Sequence, residues 1–248
     1  INEFTGIELF TEKFKNFRYV ELVPETLTGK KEFDESYFKK LNEIENNAKL
    51  KMGESVVVFG AGGIGLNIIQ ACRLVSSYPI IAVDLVDSRL NLAKSMGATH
   101  TINSKYLNPF HEIESILGKN NLNVFIDNTG STKIIEGGYG LVSSFGRVVL
   151  VGVPKKGHNI SIFTLPIHFG KSIIGSYGGE SNPTNDIPRY LHLEKEGLIS
   201  FEKIIGKYFD LSDINIAIDL IKKGEIAGRV MIKLWKQKFL NLKKLKIN

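Results

Sequence analysis

Three glycines, Gly60, Gly62 and Gly65, stand in the spacing G-x-G-x-x-G within ESVVVFGAGGIGLNIIQACRL, residues 54–74. A β-branched run leads into them and an apolar pattern of helical period leads out. That order, strand, glycine turn, helix, is the context in which such spacing binds a pyrophosphate. Gly60 allows the tight turn, Gly62 carries no side chain to hold off a phosphate, and Gly65 lets helix and strand approach closely. The helix N-terminus would then offer N–H groups and a partial positive charge to the anion.

A carboxylate belongs at the end of the next strand if the ligand is a dinucleotide. Asp84 closes PIIAVD, 24 residues after Gly60. Placed there it accepts both hydroxyl protons of an adenosine ribose and repels a 2′-phosphate, which favours NAD over NADP. A turn or cap role for Asp84 is the bland alternative. Arg89, five residues on, either lies along the adenosine or is a solvated helix residue. DNTG (127–130), VGV (151–153, with Gly152 at its centre) and GSYGG (175–179) follow later apolar runs. Their backbones either line the nicotinamide half of the ligand or form plain turns.

These groups need a scaffold, and the chain's rhythm supplies one. SVVVF (55–59), PIIAVD (79–84), THTI (99–102), NVFID (123–127), GRVVLVG (146–152) and KSIIGS (171–176) read as strands. Helical patterns separate the first five, at 64–75, 88–96, about 109–117 and 131–142. Strands alternating with helices imply right-handed crossovers and a parallel sheet covered on both faces. The expected fold is α/β, a doubly wound parallel six-stranded sheet of the Rossmann kind with additional C-terminal helices. Those helices are read at 182–197 and 211–224, the second with Ser212 as N-cap and Gly224 as stop, before a closing strand at 228–234. FEKIIGKYF, between them, is short and mixed. Residues 35–51 carry Tyr37, Phe38, Leu41, Ile44 and Ala48 at helical spacing. The expected divisions are an N-terminal segment at 1–45, a dinucleotide-binding domain at 46–178, C-terminal helices and a closing strand at 179–234, and a basic amphipathic tail at 235–248.

Composition excludes several classes. A 248-residue chain, 43% hydrophobic with 24 glycines, is neither disordered nor fibrous. No apolar run approaches the roughly 20 residues of a membrane span. The formal charge is +6, but residues 233–248 hold six Lys and no acid; without them 26 basic residues balance 26 acidic ones. The excess therefore belongs to the tail, and no nucleic-acid face is expected. The tail reads as a docked terminal helix with a solvated basic side, or as a helix for a membrane surface or partner. The single cysteine, Cys72, lies in an apolar helical pattern and reads as a core thiol in a reducing, cytoplasmic setting. The start, INEFTGIELF, lacks both an initiator Met and the regions of a secretory signal, so a processed end or an excised fragment is expected.

GESVVVFGAGGIGLNIIQACRL, IIAVD, SRLNLAKSMGATHTIN, VLVGVP, KSIIGSYGG and DINIAIDLIKKGEIAGRVMIKL occur in the same order as in medium-chain, zinc-type alcohol and polyol dehydrogenases, whose cofactor-binding half residues 46–234 resemble. By position the resemblance implies pyrophosphate contacts at Gly62, Gly63 and Ile64 and ribose contacts at Asp84 and Arg89. It implies nicotinamide-side contacts at Thr129, Val151, Val153, Ser176 and Tyr177, and a pyrophosphate contact at Arg229. It also implies NAD as cofactor, an alcohol, polyol or sugar as substrate, and a homodimer formed edge to edge beside NISIFTLPIHF (159–169).

The chain departs from that family where its zinc would be held. Only about 45 residues precede the cofactor domain, and the four-cysteine lobe, the first catalytic Cys and the His-Glu pair are absent. An ungapped count puts the third ligand position at Glu35, which alone makes no zinc site and reads as a helix N-terminal acid. The five histidines, His100, His111, His158, His168 and His192, show no paired ligand spacing, so no metal ligand and no catalytic residue is assigned. The expected function is the cofactor-binding portion of an NAD(H)-dependent oxidoreductase. The alternative is a non-catalytic NAD-binding module serving as redox sensor or assembly partner.

Overall fold

The computed structural model describes residues 19–22, 41–180 and 182–233. Among them the strands form two sheets. The larger contains β2 (Val56–Phe59), β3 (Ile80–Asp84), β4 (His100–Asn103), β5 (Leu122–Asp127), β6 (Val142–Leu150) and β7 (Ser172–Gly175). All six run parallel, in the order β4-β3-β2-β5-β6-β7. Between them lie α1 (Gly63–Leu74), α2 (Asp87–Met96), α3 (Pro109–Leu117) and α4 (Thr132–Leu141). This is the doubly wound fold expected from the strand–helix rhythm.

Side chains alternate across a strand, so VVVF must feed two cores. Val56 and Val58 pack on one side with Leu66 and Ile69 of α1 and Leu90, Ala93 and Met96 of α2. Val57 and Phe59 pack on the other with Ile113 of α3 and Tyr139 and Leu141 of α4. Helices on both faces leave no polar side to the strand, and this explains its continuous apolar run. Cys72 is wholly buried in the first core, and burial pushes its thiol far up from the ordinary value.

The chain steps outward from β2 to β3 and β4, then returns to pair β5 on the other side of β2. Phe59 is level with Val83 on one side and Asp127 on the other. The reversal therefore opens a crevice at the carboxyl ends of β2 and β5, where open parallel sheets bind ligands.

The closing strand expected at 228–234 is found as Arg229–Lys233, but the smaller sheet to which it belongs was not legible in the sequence. β1 (Tyr19–Leu22), β8 (Ile205–Asp210) and β9 (Arg229–Lys233) lie in the order β1-β9-β8, with β1 antiparallel and β8 parallel to β9. α5 (Pro183–Lys195) precedes it, and α6 (Ile214–Lys223) packs on it through Ala217, Leu220 and Ile221 against Phe209, Val230 and Ile232. The N-cap of α6 is Asp213, not Ser212, because residues 211–213 form a separate 3₁₀ turn.

Leu41, Ile44 and Ala48 are buried in the first core, but Glu43–Asn47 is a π-helical turn where an α-helix was expected. The segment is tied down by Arg147 of β6. Its Nη2 lies 2.5 Å from Glu54 Oε2 and 3.0 Å from the Lys49 carbonyl, and its Nε donates to the Ala48 carbonyl. Glu35 and the tail at 235–248 fall outside the described residues, and no helix among those described is long and apolar enough to cross a membrane.

Candidate functional site

The glycine turn is built as its spacing demands. Gly60 has φ +96°, a left-handed conformation that excludes most side chains, and its N–H donates to the Val83 carbonyl at 2.8 Å. A Cβ at Gly65 would lie 2.0 Å from the Gly60 carbonyl oxygen, so helix and strand meet there by backbone contact. Gly62 immediately precedes α1, which has no side-chain cap. The amides of the first helical turn have no intrahelical acceptor. A Cβ at Gly62 would meet no atom of the described residues within 4 Å, so the space beside Gly62, next to these amides, is open among them. Ile64 turns its side chain toward the first core, leaving its backbone as the part able to meet a ligand.

Arg229, the first residue of β9, completes this corner. It is buried and packs on Gly63 so closely that a Cβ there would fall 1.9 Å from its Nε. A permanent cation and the positive end of a helix dipole thus converge on one point, an arrangement that suits a bound anion between them.

Asp84 is buried, and its carboxylate is largely occupied. Oδ2 accepts the Ala61 N–H at 2.8 Å, while Oδ1 accepts those of Leu85 at 2.8 Å and Val86 at 3.0 Å. A carboxylate offers about four lone-pair sites. The turn role is therefore filled, and the remaining capacity suits one further hydroxyl donor, at Oδ2, rather than two. Arg89 Nη1 stands 3.7 Å from Asp84 Oδ1, half-buried against the acid.

Across the crevice, Thr129, Val151, Gly152 and Val153 form one unit. Sequence reading missed the residue that joins them. Asp127 is fully buried at the end of β5; its carboxylate accepts the N–H groups of Thr129 and Gly130, and its carbonyl accepts those of Val151 and Gly152. Burial pushes its carboxyl above the usual range, and the bonds from Thr129 and Gly130 offset only part of that. The signal was present in D-N-T-G, an acid followed by turn residues. Asn128 ties this unit to the glycine turn, its Nδ2 donating to the Gly60 carbonyl at 3.3 Å.

Ser176 and Tyr177 lie one strand further out, beyond β7. The Ser176 N–H donates to the Leu150 carbonyl at 2.9 Å, and its Oγ accepts the Gly179 N–H at 3.1 Å. Tyr177 is 86% exposed and Val153 89% exposed, unusual for such side chains and open to a ligand at the sheet's carboxyl rim. Among the described residues no three His, Cys, Asp or Glu side chains are placed to hold a metal ion.

Known proteins share this fold. A family described as zinc-binding dehydrogenase matches residues 63–196. Alcohol dehydrogenase 1 of Trifolium repens is 33% identical over 184 residues, covering 73% of this chain and 48% of that protein. The crystal structure of benzyl alcohol dehydrogenase from Acinetobacter calcoaceticus aligns with a TM-score of 0.75 at 32% identity, over 81% of this chain and 55% of that one. A short chain alcohol dehydrogenase from E. coli CFT073, complexed with NADH, aligns with a TM-score of 0.70 at 26% identity, over 81% and 58%. The chain spans about half the length of the curated relatives it matches. The family match runs from the start of α1 through α5, more than half of the chain, and takes in both sides of the crevice. On that match and on the shared architecture, the chain belongs to the zinc-binding dehydrogenase family.

Proposed function

We propose that this chain is the cofactor-binding portion of an NAD(H)-dependent oxidoreductase that moves hydride between nicotinamide and an alcohol, polyol or sugar. The carrying observation is the space beside Gly62, bounded by the first amides of α1 and by Arg229 over Gly63. A diphosphate fits that chemistry. When bound, the dinucleotide supplies the hydride-carrying ring.

The protein's own groups do the rest. The amides of Gly62, Gly63 and Ile64, together with Arg229, hold the pyrophosphate. Asp84 accepts a ribose hydroxyl at Oδ2, and its charge disfavours a 2′-phosphate, with Arg89 alongside. Thr129, Val151, Gly152, Val153, Ser176 and Tyr177 line the nicotinamide half. The NADH in the E. coli relative supports this reading, and the names of the alcohol dehydrogenases support the substrate class. The described residues do not fit a zinc site, and no step is assigned to zinc.

The reading includes a homodimer through β7, which ends the sheet order with exposed Phe163, Leu165, Ile167 and Phe169 beside it. Such an edge favours association. It also includes a reducing, cytoplasmic setting, supported by the buried free thiol of Cys72. The test is calorimetric titration with NADH and with NADPH. Saturable NADH binding, at least about tenfold tighter than NADPH, is expected. Absence of NADH binding contradicts the cofactor reading; equal affinities contradict the role of Asp84.

A further inference from the structure

Asp127 gathers five hydrogen bonds from two separate turns. Its Oδ1 accepts the Thr129 N–H at 3.0 Å and the Thr129 hydroxyl at 2.6 Å, and its Oδ2 accepts the Gly130 N–H at 2.9 Å. Its main-chain carbonyl accepts the N–H groups of Val151 at 2.9 Å and Gly152 at 2.8 Å. The turns also touch directly. A Cβ at Gly152 would lie 2.3 Å from the Gly130 nitrogen, and one at Gly130 would lie 2.5 Å from the Val153 carbonyl oxygen. The loop after β5 and the loop after β6 therefore stand or shift together, with Asp127 as their common anchor.

The side chain at this position must be acceptor-only. Three donors face its two oxygens, and an amide would turn an NH₂ group toward at least one of them. The Thr129 hydroxyl is itself committed, donating to Asp127 and accepting the Ser131 N–H at 3.1 Å. What Thr129 presents to the crevice is set by that bond. The described bonds to the Asp127 carboxylate all come from Thr129 and Gly130, while the glycine turn is tied to this loop by Asn128, whose Nδ2 donates to the Gly60 carbonyl.

We propose that Asp127 is the positioning residue for the nicotinamide half of the site, holding the Thr129 and Val151–Val153 turns in register while leaving the pyrophosphate–adenosine half unaffected. This rests on the NAD reading of the crevice. It assigns to one buried carboxylate the selective control of one end of the ligand.

The test uses Asp127→Asn and Thr129→Val in the full chain, titrated by calorimetry with NADH and with ADP, which carries the adenosine and pyrophosphate without the nicotinamide. Thermal unfolding is followed in parallel. For Asp127→Asn the expected result is NADH binding weakened about tenfold or more with ADP binding within about twofold of the parent. Thr129→Val, which removes one of the five bonds, gives a smaller loss of the same selective kind. Equal weakening of both ligands makes Asp127 a general structural residue and overturns the proposal, as does unchanged NADH binding. If Asp127→Asn does not fold, Thr129→Val decides alone by the same comparison. A parent chain that binds neither ligand overturns the NAD reading itself, an outcome distinct from binding that is lost only in the variants.

Discussion

The Asp84 carboxylate accepts the Ala61 N–H at 2.8 Å, so the acid that ends one strand holds the glycine turn that ends its neighbour. Asp84 is thus part of the turn's construction as well as the proposed ribose partner. Asp84→Gly is expected to weaken NADH binding and relax the discrimination against NADPH. It also strands three backbone N–H groups, on Ala61, Leu85 and Val86. A stability loss of about 1–3 kcal/mol is expected from that, read by denaturant unfolding. Relaxed specificity at unchanged stability would separate the two roles and contradict the structural one.

The ion pair of Glu54 and Arg147 ties the segment before β2 to β6. Burial alone would raise the Glu54 carboxyl, but the Arg147 bonds, the Lys51 N–H and the nearby positive charges hold it below its ordinary value. A carboxyl depressed by folding adds stability that is present above its unfolded value, about 4.3, and is lost as pH falls through the lower folded value. Glu54→Gln is therefore expected to cost roughly 1–3 kcal/mol near neutral pH and progressively less in acid. Denaturant unfolding of both proteins across that range checks the slope; a difference that grows in acid would contradict it.

The apolar edge beside β7 predicts self-association. Light scattering is expected to give a dimer mass, and Ile167→Lys or Phe169→Lys to shift the chain toward monomer while NADH binding persists. Phe169 is 68% exposed, so its loss removes little from the core. A monomer at every concentration would remove the dimer.

What was legible in the sequence was what local covalent geometry dictates. Gly60 and Gly65 announced themselves because a tight turn and a helix–strand contact leave room for no other residue. Asp84 was legible because it ends an apolar run at a readable spacing. Asp127 stands in plain view within D-N-T-G, but its role was not legible, because the donors it collects come from two turns that meet only in the folded sheet. β8 was missed for a similar reason. Gly206 and Lys207 break any alternation, and pairing with β9 makes the segment a strand. At Glu43–Asn47 the spacing of Leu41, Ile44 and Ala48 identified the buried face correctly, yet a π turn presents that face as well as an α-helix does.

The central claim is that the space beside Gly62 exists for a diphosphate. Because a Cβ there meets no atom of the described residues within 4 Å, Gly62→Val is expected to spare the fold's described contacts and to fill that space. Calorimetric titration of Gly62→Val with NADH, beside its thermal unfolding curve, is the direct measurement. The account predicts an unfolding midpoint close to the parent's and NADH affinity reduced about a hundredfold or lost. Parent-like NADH binding by a folded Gly62→Val chain would contradict it.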